Sequence, residues 1–200
     1  MNKSIEQRFR PLEVRARQEE RIIEGYAVVF DSIGNPSPYF TESVSRDAFS
    51  NCDYSECICC FNHDRSKVVA RTSAGNLKLN LDDKGLFFEA TVPNTQVGND
   101  LLENIRVGNI QGCSFAFTIS GEEWKWGDAK TGEPDHRTIT GIDHLYDVSP
   151  VTDPAYNDTT VAQRSIDEHY AEVKAAEEAA KIKASELERE RKLKEIQLHK

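Results

Sequence analysis

Two residues far apart in the sequence, Ser114 and His63, have the chemistry of a nucleophile and its general base. A serine hydroxyl attacks an acyl carbon once a neighbouring imidazole takes its proton, and a third group orients that imidazole. An imidazole with an unperturbed pKa of about 6.5 suits this exchange at neutral pH. Composition and spacing alone favour a strand serine and an exposed histidine that do no chemistry.

A second candidate centre is a metal site formed by Cys57, Cys59, Cys60 and His63. Sulfur and imidazole suit zinc, but structural zinc sites normally draw spaced pairs of ligands from two chain segments. Alternate cysteines on a strand also point to opposite faces. We therefore interpret these thiols as core residues and expect no metal and no cofactor. The odd total of five cysteines favours reduced thiols in a cytosol.

The element that must position Ser114 is a strand predicted over residues 109–119. At a strand's period of two, Cys113 falls on an apolar face together with two phenylalanines. Ser114 falls on the opposite face, between Gly112 and Ala116, where its hydroxyl is uncrowded. The pattern therefore favours Ser114 over Cys113 as a nucleophile.

Strand-like segments make up most of the remaining sequence before residue 160, and glycine-containing turns between 68–70, 77–81 and 86–92 predict an antiparallel meander of these three segments. A helix is predicted over 95–109, ending at Gly108 and leading into the strand of Ser114. The polar segment 124–134 is predicted to be a mobile loop, which we consider as a gate for the site. The predicted strands span 21–30, 56–61, 68–70, 77–81, 86–92, 137–142 and 144–151.

Composition limits the classes of function. The chain has 200 residues, a net charge of −9 and a mean hydropathy of −0.60. Residues 161–200 carry nine basic and nine acidic residues, so the negative charge belongs to the rest of the chain. An acidic surface repels phosphates, and we expect no nucleic-acid partner. No apolar run approaches the roughly 20 residues of a membrane span, so we expect neither a membrane segment nor a signal peptide.

The C-terminal part of the sequence predicts one long helix, because glycine and proline are absent from 161–200. Ile166, Tyr170 and Val173 begin a 4-3 spacing that Glu177 interrupts. A solvated helix with interleaved charges and a coiled-coil contact both fit this pattern.

Four segments occur in the order found in the prohead maturation proteases of tailed bacteriophages, and the chain resembles that family, closest to the branch that serves capsids of the HK97 type. The resemblance runs from about residue 22 to residue 164. The four segments are 23–31 (IEGYAVVFD), 61–64 (FNHD), 112–117 (GCSFAF) and 146–156 (YDVSPVTDPAY).

The resemblance implies a mainly β fold with helices (α+β), in which an antiparallel β-barrel is surrounded by helices, as in herpesvirus assembly proteases, with the long C-terminal helix in addition. It divides the sequence into an N-terminal arm (1–21), a protease domain (22–164) and a charged tail (165–200) that serves as a scaffold-like segment or a tether. The expected protein is a homo-oligomer, made in the host cytoplasm and packaged inside the immature phage capsid.

The implied function is that of a serine endopeptidase that cleaves scaffold, the major capsid protein and itself. Ser114 matches the family's nucleophile and His63 its base. Asp147 lies at an acidic position and is the expected orienting group, with His144, Asp143 and Asp64 as alternatives. The alternative function is a catalytically inactive scaffolding or assembly protein.

An oxyanion hole requires backbone N–H groups or a cation beside the tetrahedral intermediate. Arg137 is the candidate cation, and the competing interpretation is an ordinary surface arginine.

Overall fold

The structure, a computed structural model, describes residues 4–10, 14–37, 40–128, 131–152 and 160–198. The chain divides into two units, Met1–Asp158 and Thr159–Lys200. The segment 153–158, whose composition is typical of a turn, lies outside the described residues. Among the helices that are described, none combines the length and the apolar character that a membrane crossing requires.

The described part of the first unit is built mostly from strands, with one α-helix and two single-turn 3-10 helices at Arg46–Phe49 and Phe61–His63. The strands are β1 (Glu6–Arg10), β2 (Arg15–Arg17), β3 (Ile22–Val29), β4 (Phe40–Val44), β5 (Ile58–Cys60), β6 (Val68–Arg71), β7 (Leu77–Leu81), β8 (Gly85–Thr91), β9 (Gly112–Lys125) and β10 (Asp135–Val151), and the helix is α1 (Gln96–Arg106).

A six-stranded sheet carries the strand of Ser114. Its order is β1-β9-β10-β5-β6, and β4 also pairs with β10. β9 lies antiparallel to both β1 and β10, whereas β4 and β5 run parallel to β10. The two strands predicted over 137–142 and 144–151 are one long strand, whose register with β9 is broken by bulges. Bulges bend a strand, which explains why the sequence pattern is interrupted there.

The second sheet has the order β2-β3-β8-β7 and is antiparallel throughout. Of the meander predicted over 68–92, the hairpin of β7 and β8 is confirmed, whereas β6 pairs with β5 in the first sheet. Its inward side chains, such as Ile23 and Phe88, belong to the same buried apolar cluster as Phe115 and Leu145 of the first sheet. The described strands thus form two sheets around one core, and they do not close into the expected barrel. A closed barrel leaves no edge strand, and among the described strands each end strand of the two paths, β1, β6, β2 and β7, has a paired neighbour on one side only.

The segment predicted as an N-terminal arm contributes one strand to each sheet, β1 and β2. The sequence did not indicate β1, because charged residues normally lie on the surface, whereas Glu6 and Arg8 of this strand are buried. Both side chains are neutralised by ion pairs, so their burial leaves no trace in the hydropathy of the sequence.

The helix predicted over 95–109 is confirmed as α1. The Thr95 hydroxyl caps its first turn by accepting a hydrogen bond from the backbone N–H of Gly98 at 3.2 Å. Gly108 follows the helix with a φ of +81°, a conformation that glycine adopts without a steric cost. The short connection after Gly108 delivers the chain to the start of β9.

The second unit contains the predicted long helix, α2 (Thr160–Leu198). Among its described side chains, Ile166 is buried, whereas Tyr170, Val173 and Ile182 are exposed.

Candidate active site

His63 stands on a turn whose backbone is held in an uncommon conformation. Asn62 and His63 both have left-handed backbones, with φ values of +53° and +58°. Non-glycine residues rarely adopt this region, although asparagine and histidine do so more readily than most. The Asn62 side chain fixes the turn to the end of β10, because its Oδ1 accepts the backbone N–H of Thr152 at 3.0 Å. Strain of this kind persists where the surrounding structure over-determines it, often at functional sites.

The structure brings Ser114, His63 and Asp147 into direct contact. His63 Nε2 lies 2.7 Å from the Ser114 hydroxyl oxygen, and His63 Nδ1 lies 2.7 Å from Asp147 Oδ1. Ser114 and Asp147 are 4% and 3% exposed, so the two contacts are largely shielded from water. Shielding strengthens the interaction between the carboxylate and any positive charge that forms on the imidazole.

A β-bulge in β10 determines which of its residues share a face with Ser114. The register between β10 and β9 slips by one residue between Leu145 and Asp147. After the slip, Asp147 lies opposite Ala116 of β9. Because side chains alternate along a strand, a slip of one residue moves all later side chains to the other face. The bulge therefore brings Asp147 to the face of β9 that carries Ser114.

The alternatives to Asp147 lie elsewhere. His144 Nδ1 is 3.4 Å from a carboxylate oxygen of Asp53. Asp64 accepts hydrogen bonds from the backbone and hydroxyl of Ser66, at 2.9 and 2.6 Å. Asp143 is exposed to solvent. Of the carboxylates considered from sequence, the one that contacts the His63 ring is that of Asp147.

Arg137 belongs to a buried ion network, which corrects both interpretations made from sequence. It is 0% exposed, and its guanidinium donates to Glu6, Glu42 and Glu122 at distances between 2.6 and 3.0 Å. It lies opposite Trp124, near the far end of β9 from Ser114. Arg137 is therefore neither a surface arginine nor a cation beside the Ser114 hydroxyl.

The segment 124–134, predicted as a mobile loop and considered as a gate, connects the two strands of this same hairpin. β9 continues to Lys125 and β10 begins at Asp135. Lys125, the last residue of β9, follows Ser114 by 11 residues along this strand. Trp124 and Trp126 stack there with their ring centroids 5.0 Å apart. The role of this loop as a gate stays a prediction.

Ser149 is a polar residue of the site that the sequence did not single out. It lies opposite Ser114 in the register between β10 and β9, and it is 0% exposed. Its hydroxyl donates to Asp147 Oδ1 at 2.7 Å, and the Cys60 sulfur lies 3.3 Å from its oxygen. The spacing of two between Asp147 and Ser149 was a usable signal, because residues i and i+2 of a strand share a face.

The cysteines singled out from sequence lie in the core. Cys57, Cys59, Cys60 and Cys113 are all fully buried. Burial raises the pKa of each thiol, that of Cys60 to about 11, so these sulfurs stay protonated at neutral pH. A protonated thiol is a poor nucleophile, and the geometry agrees with the preference for Ser114 over Cys113.

The arrangement suits acyl transfer. The serine hydroxyl can pass its proton to His63 Nε2 as it attacks, and Asp147 holds Nδ1 of the same ring. Among the described residues, no group of three or more His, Cys, Asp or Glu side chains is arranged to hold a metal ion.

The family model described as caudovirus prohead serine protease matches residues 10–172. Among solved structures, the capsid assembly protease of bacteriophage T4 is similar at 15% sequence identity and a TM-score of 0.43, over 74% of this chain and 96% of that chain. A likeness at this level carries no functional argument. None of the curated proteins compared with the chain matches it.

Proposed function

The chain belongs to the caudovirus prohead serine protease family, and we propose that it is the endopeptidase that cleaves scaffold and major capsid protein inside the immature phage shell. Membership of this family makes the chain a serine peptidase, that is, a hydrolase that acts in capsid assembly. The observation that supports the specific mechanism is the His63 ring, which bridges Ser114 and Asp147 with 2.7 Å contacts on its two sides.

The proposed reaction passes through an acyl-enzyme. Ser114 Oγ attacks the scissile carbonyl carbon while its proton moves to His63 Nε2. The imidazolium that forms is stabilised by Asp147 through Nδ1–H, and it then protonates the leaving amine as the peptide C–N bond breaks. Water then attacks the ester carbon while its proton passes to the same nitrogen, and that proton returns to Ser114 Oγ as the ester C–O bond breaks and the acid product leaves.

The test is processing of the cognate capsid precursor by wild type and Ser114→Ala, followed by mass spectrometry. Wild type should shorten the precursor and Ser114→Ala should leave it intact. The matched control is Ser43→Ala, which removes a hydroxyl from the same sheet, where it lies 3.0 Å from His136 Nε2. Ser43→Ala should process normally. An intact precursor with wild type under assembly conditions would support the alternative, an inactive assembly protein.

For the helix α2 we propose a tether that retains the enzyme in the shell and is removed by self-cleavage. Its long charged sequence and its separation as a unit, Thr159–Lys200, support this role. Purified wild type should lose C-terminal mass with time, and Ser114→Ala should not. A wild-type chain of constant mass in the presence of processed capsid protein would reject the tether hypothesis and leave the peptidase intact.

A further inference from the structure

We propose that Ser149 is a positioning residue that holds Asp147 in its ionised, His63-facing state. The inference deepens the proposed function and rests on it. Two donors converge on one oxygen atom, since Asp147 Oδ1 lies 2.7 Å from His63 Nδ1 and 2.7 Å from the Ser149 hydroxyl. Both Asp147 and Ser149 are buried, so water does not compete for these hydrogen bonds.

The proton positions follow from what each group can donate. An ionised carboxylate only accepts, so the hydroxyl of Ser149 and the Nδ1–H of His63 must both donate to it. The Ser149 hydroxyl has one proton and donates it to Asp147. The Cys60 sulfur, 3.3 Å from the Ser149 oxygen, must therefore be the donor in the contact between these two residues. His63 Nε2 is left as an acceptor facing the Ser114 hydroxyl. Ser149 thus helps to select the tautomer that a general base requires.

The same bonds connect the two elements that must stay aligned. Asp147 and Ser149 lie on β10, whereas Cys60 is the residue from which the turn of His63 begins. The contact between Cys60 and Ser149 therefore joins this turn to the strand that carries the carboxylate. A carboxylate held by two donors cannot swing about its side-chain torsion without breaking one of them.

Among the described residues, four buried thiols have a pKa shift to which the charge of Asp147 contributes. Burial first, and the Asp147 carboxylate second or later, raise the pKa values of Cys57, Cys59, Cys60 and Cys113. These groups stay neutral between about pH 5 and 8. In that range the thiols around Asp147 therefore contribute no change of charge.

Removal of the Ser149 hydroxyl has two expected effects on reaction of the full-length protein with a fluorophosphonate. In that reaction Ser114 Oγ bonds to phosphorus, fluoride leaves and the proton passes to His63. Ser149→Ala should lower the maximal rate of phosphonylation by about 10- to 100-fold through misplacement of the base. The probe concentration for half-maximal rate should change by less than about twofold, because Ser149 does not contact the probe.

The second effect is on the pH profile. The hydrogen bond from Ser149 stabilises the negative charge of Asp147. It therefore lowers the proton affinity of the pair formed by His63 and Asp147, whether the imidazole or the carboxylate takes the proton. Its loss should move the acidic inflection of the phosphonylation rate to higher pH by about half to one unit. A merely structural defect reduces the active fraction equally at every pH and does not move the inflection.

Two further variants make the test decisive. Ser149→Cys keeps a weak donor of similar size and should give a smaller shift of the inflection in the same direction; it carries the test if Ser149→Ala does not fold. Ser43→Ala is the matched control and should retain the wild-type rate and inflection. An unshifted inflection in a folded Ser149 variant would overturn the positioning role while leaving the proposed function intact. Phosphonylation of Ser114→Ala at the wild-type rate would overturn both.

Discussion

Replacement of Asp147 by asparagine tests the electrostatic part of the mechanism. The change keeps the size and shape of the side chain and removes its charge. The Asp147 oxygen lies 2.7 Å from His63 Nδ1 in a site that is largely closed to water. At that distance, and with an effective dielectric constant of about 20, the attraction between carboxylate and imidazolium is about 6 kcal/mol.

Each increment of about 1.4 kcal/mol in activation free energy changes the rate tenfold, so loss of the full attraction would slow the reaction by more than about four powers of ten. The amide dipole and local relaxation recover part of it, so kcat of Asp147→Asn should fall by about 10³- to 10⁴-fold. KM should change little, because the buried Asp147 side chain does not contact substrate. The amide also offers an N–H to His63 Nδ1, which favours the tautomer that cannot act as a base.

The assay is the rate of capsid-precursor processing, or of fluorophosphonate labelling where that rate is too slow to follow. Thermal unfolding of the same preparations shows whether the variant is folded. A loss smaller than about tenfold in folded Asp147→Asn would refute the role assigned to the carboxylate. A loss confined to KM would refute it as well, since it would place Asp147 in substrate binding.

The remaining predictions concern groups around the site. Arg137→Met leaves buried carboxylates without their partner and should lower the free energy of unfolding by about 3–5 kcal/mol, measured by urea denaturation. Burial alone would raise the pKa of Glu42, but its ion pairs with Arg8 and Arg137 lower that pKa below the ordinary 4.5. The lowered pKa stabilises the folded protein fully above pH 4.5, and this stabilisation is lost as the pH falls through the pKa of Glu42 in the folded state. The melting temperature should therefore fall over that acidic range. Asn62→Ala should lower the free energy of unfolding by about 1 kcal/mol more than Asn62→Gly, because the left-handed backbone is costly for alanine and not for glycine. Urea denaturation of the two variants measures the difference. Iodoacetamide at neutral pH should leave peptidase activity unchanged, since burial raises the pKa of Cys60 to about 11; rapid inactivation would contradict this.

The local elements were predictable where one physical rule decides the pattern. The helix α1 follows from apolar spacing, a threonine cap and a terminal glycine, all of which act within a few residues. The alternation in 112–117 indicated the faces of β9 correctly, since Cys113 is in the core and Ser114 shares its side of the sheet with Asp147 and His63.

The parts that depend on distant pairing were not predictable. Glu6, Arg8 and Arg137 look like surface residues in the sequence, and only their mutual contacts make burial favourable. The bulge before Asp147 inserts one residue without a distinctive sequence signal, yet it determines which side chains of β10 face Ser114. Parallel pairing of β10 with β4 and β5 likewise joins segments that no short-range pattern connects.

The nucleophile is the central claim, and the most direct measurement of it is peptide mapping after fluorophosphonate labelling of the full-length chain. We expect one adduct on Ser114, formed at a rate that falls sharply in His63→Ala. We also expect no adduct on the buried thiol of Cys113. An adduct on a different serine, or labelling of Ser114 that does not depend on His63, would contradict the claim.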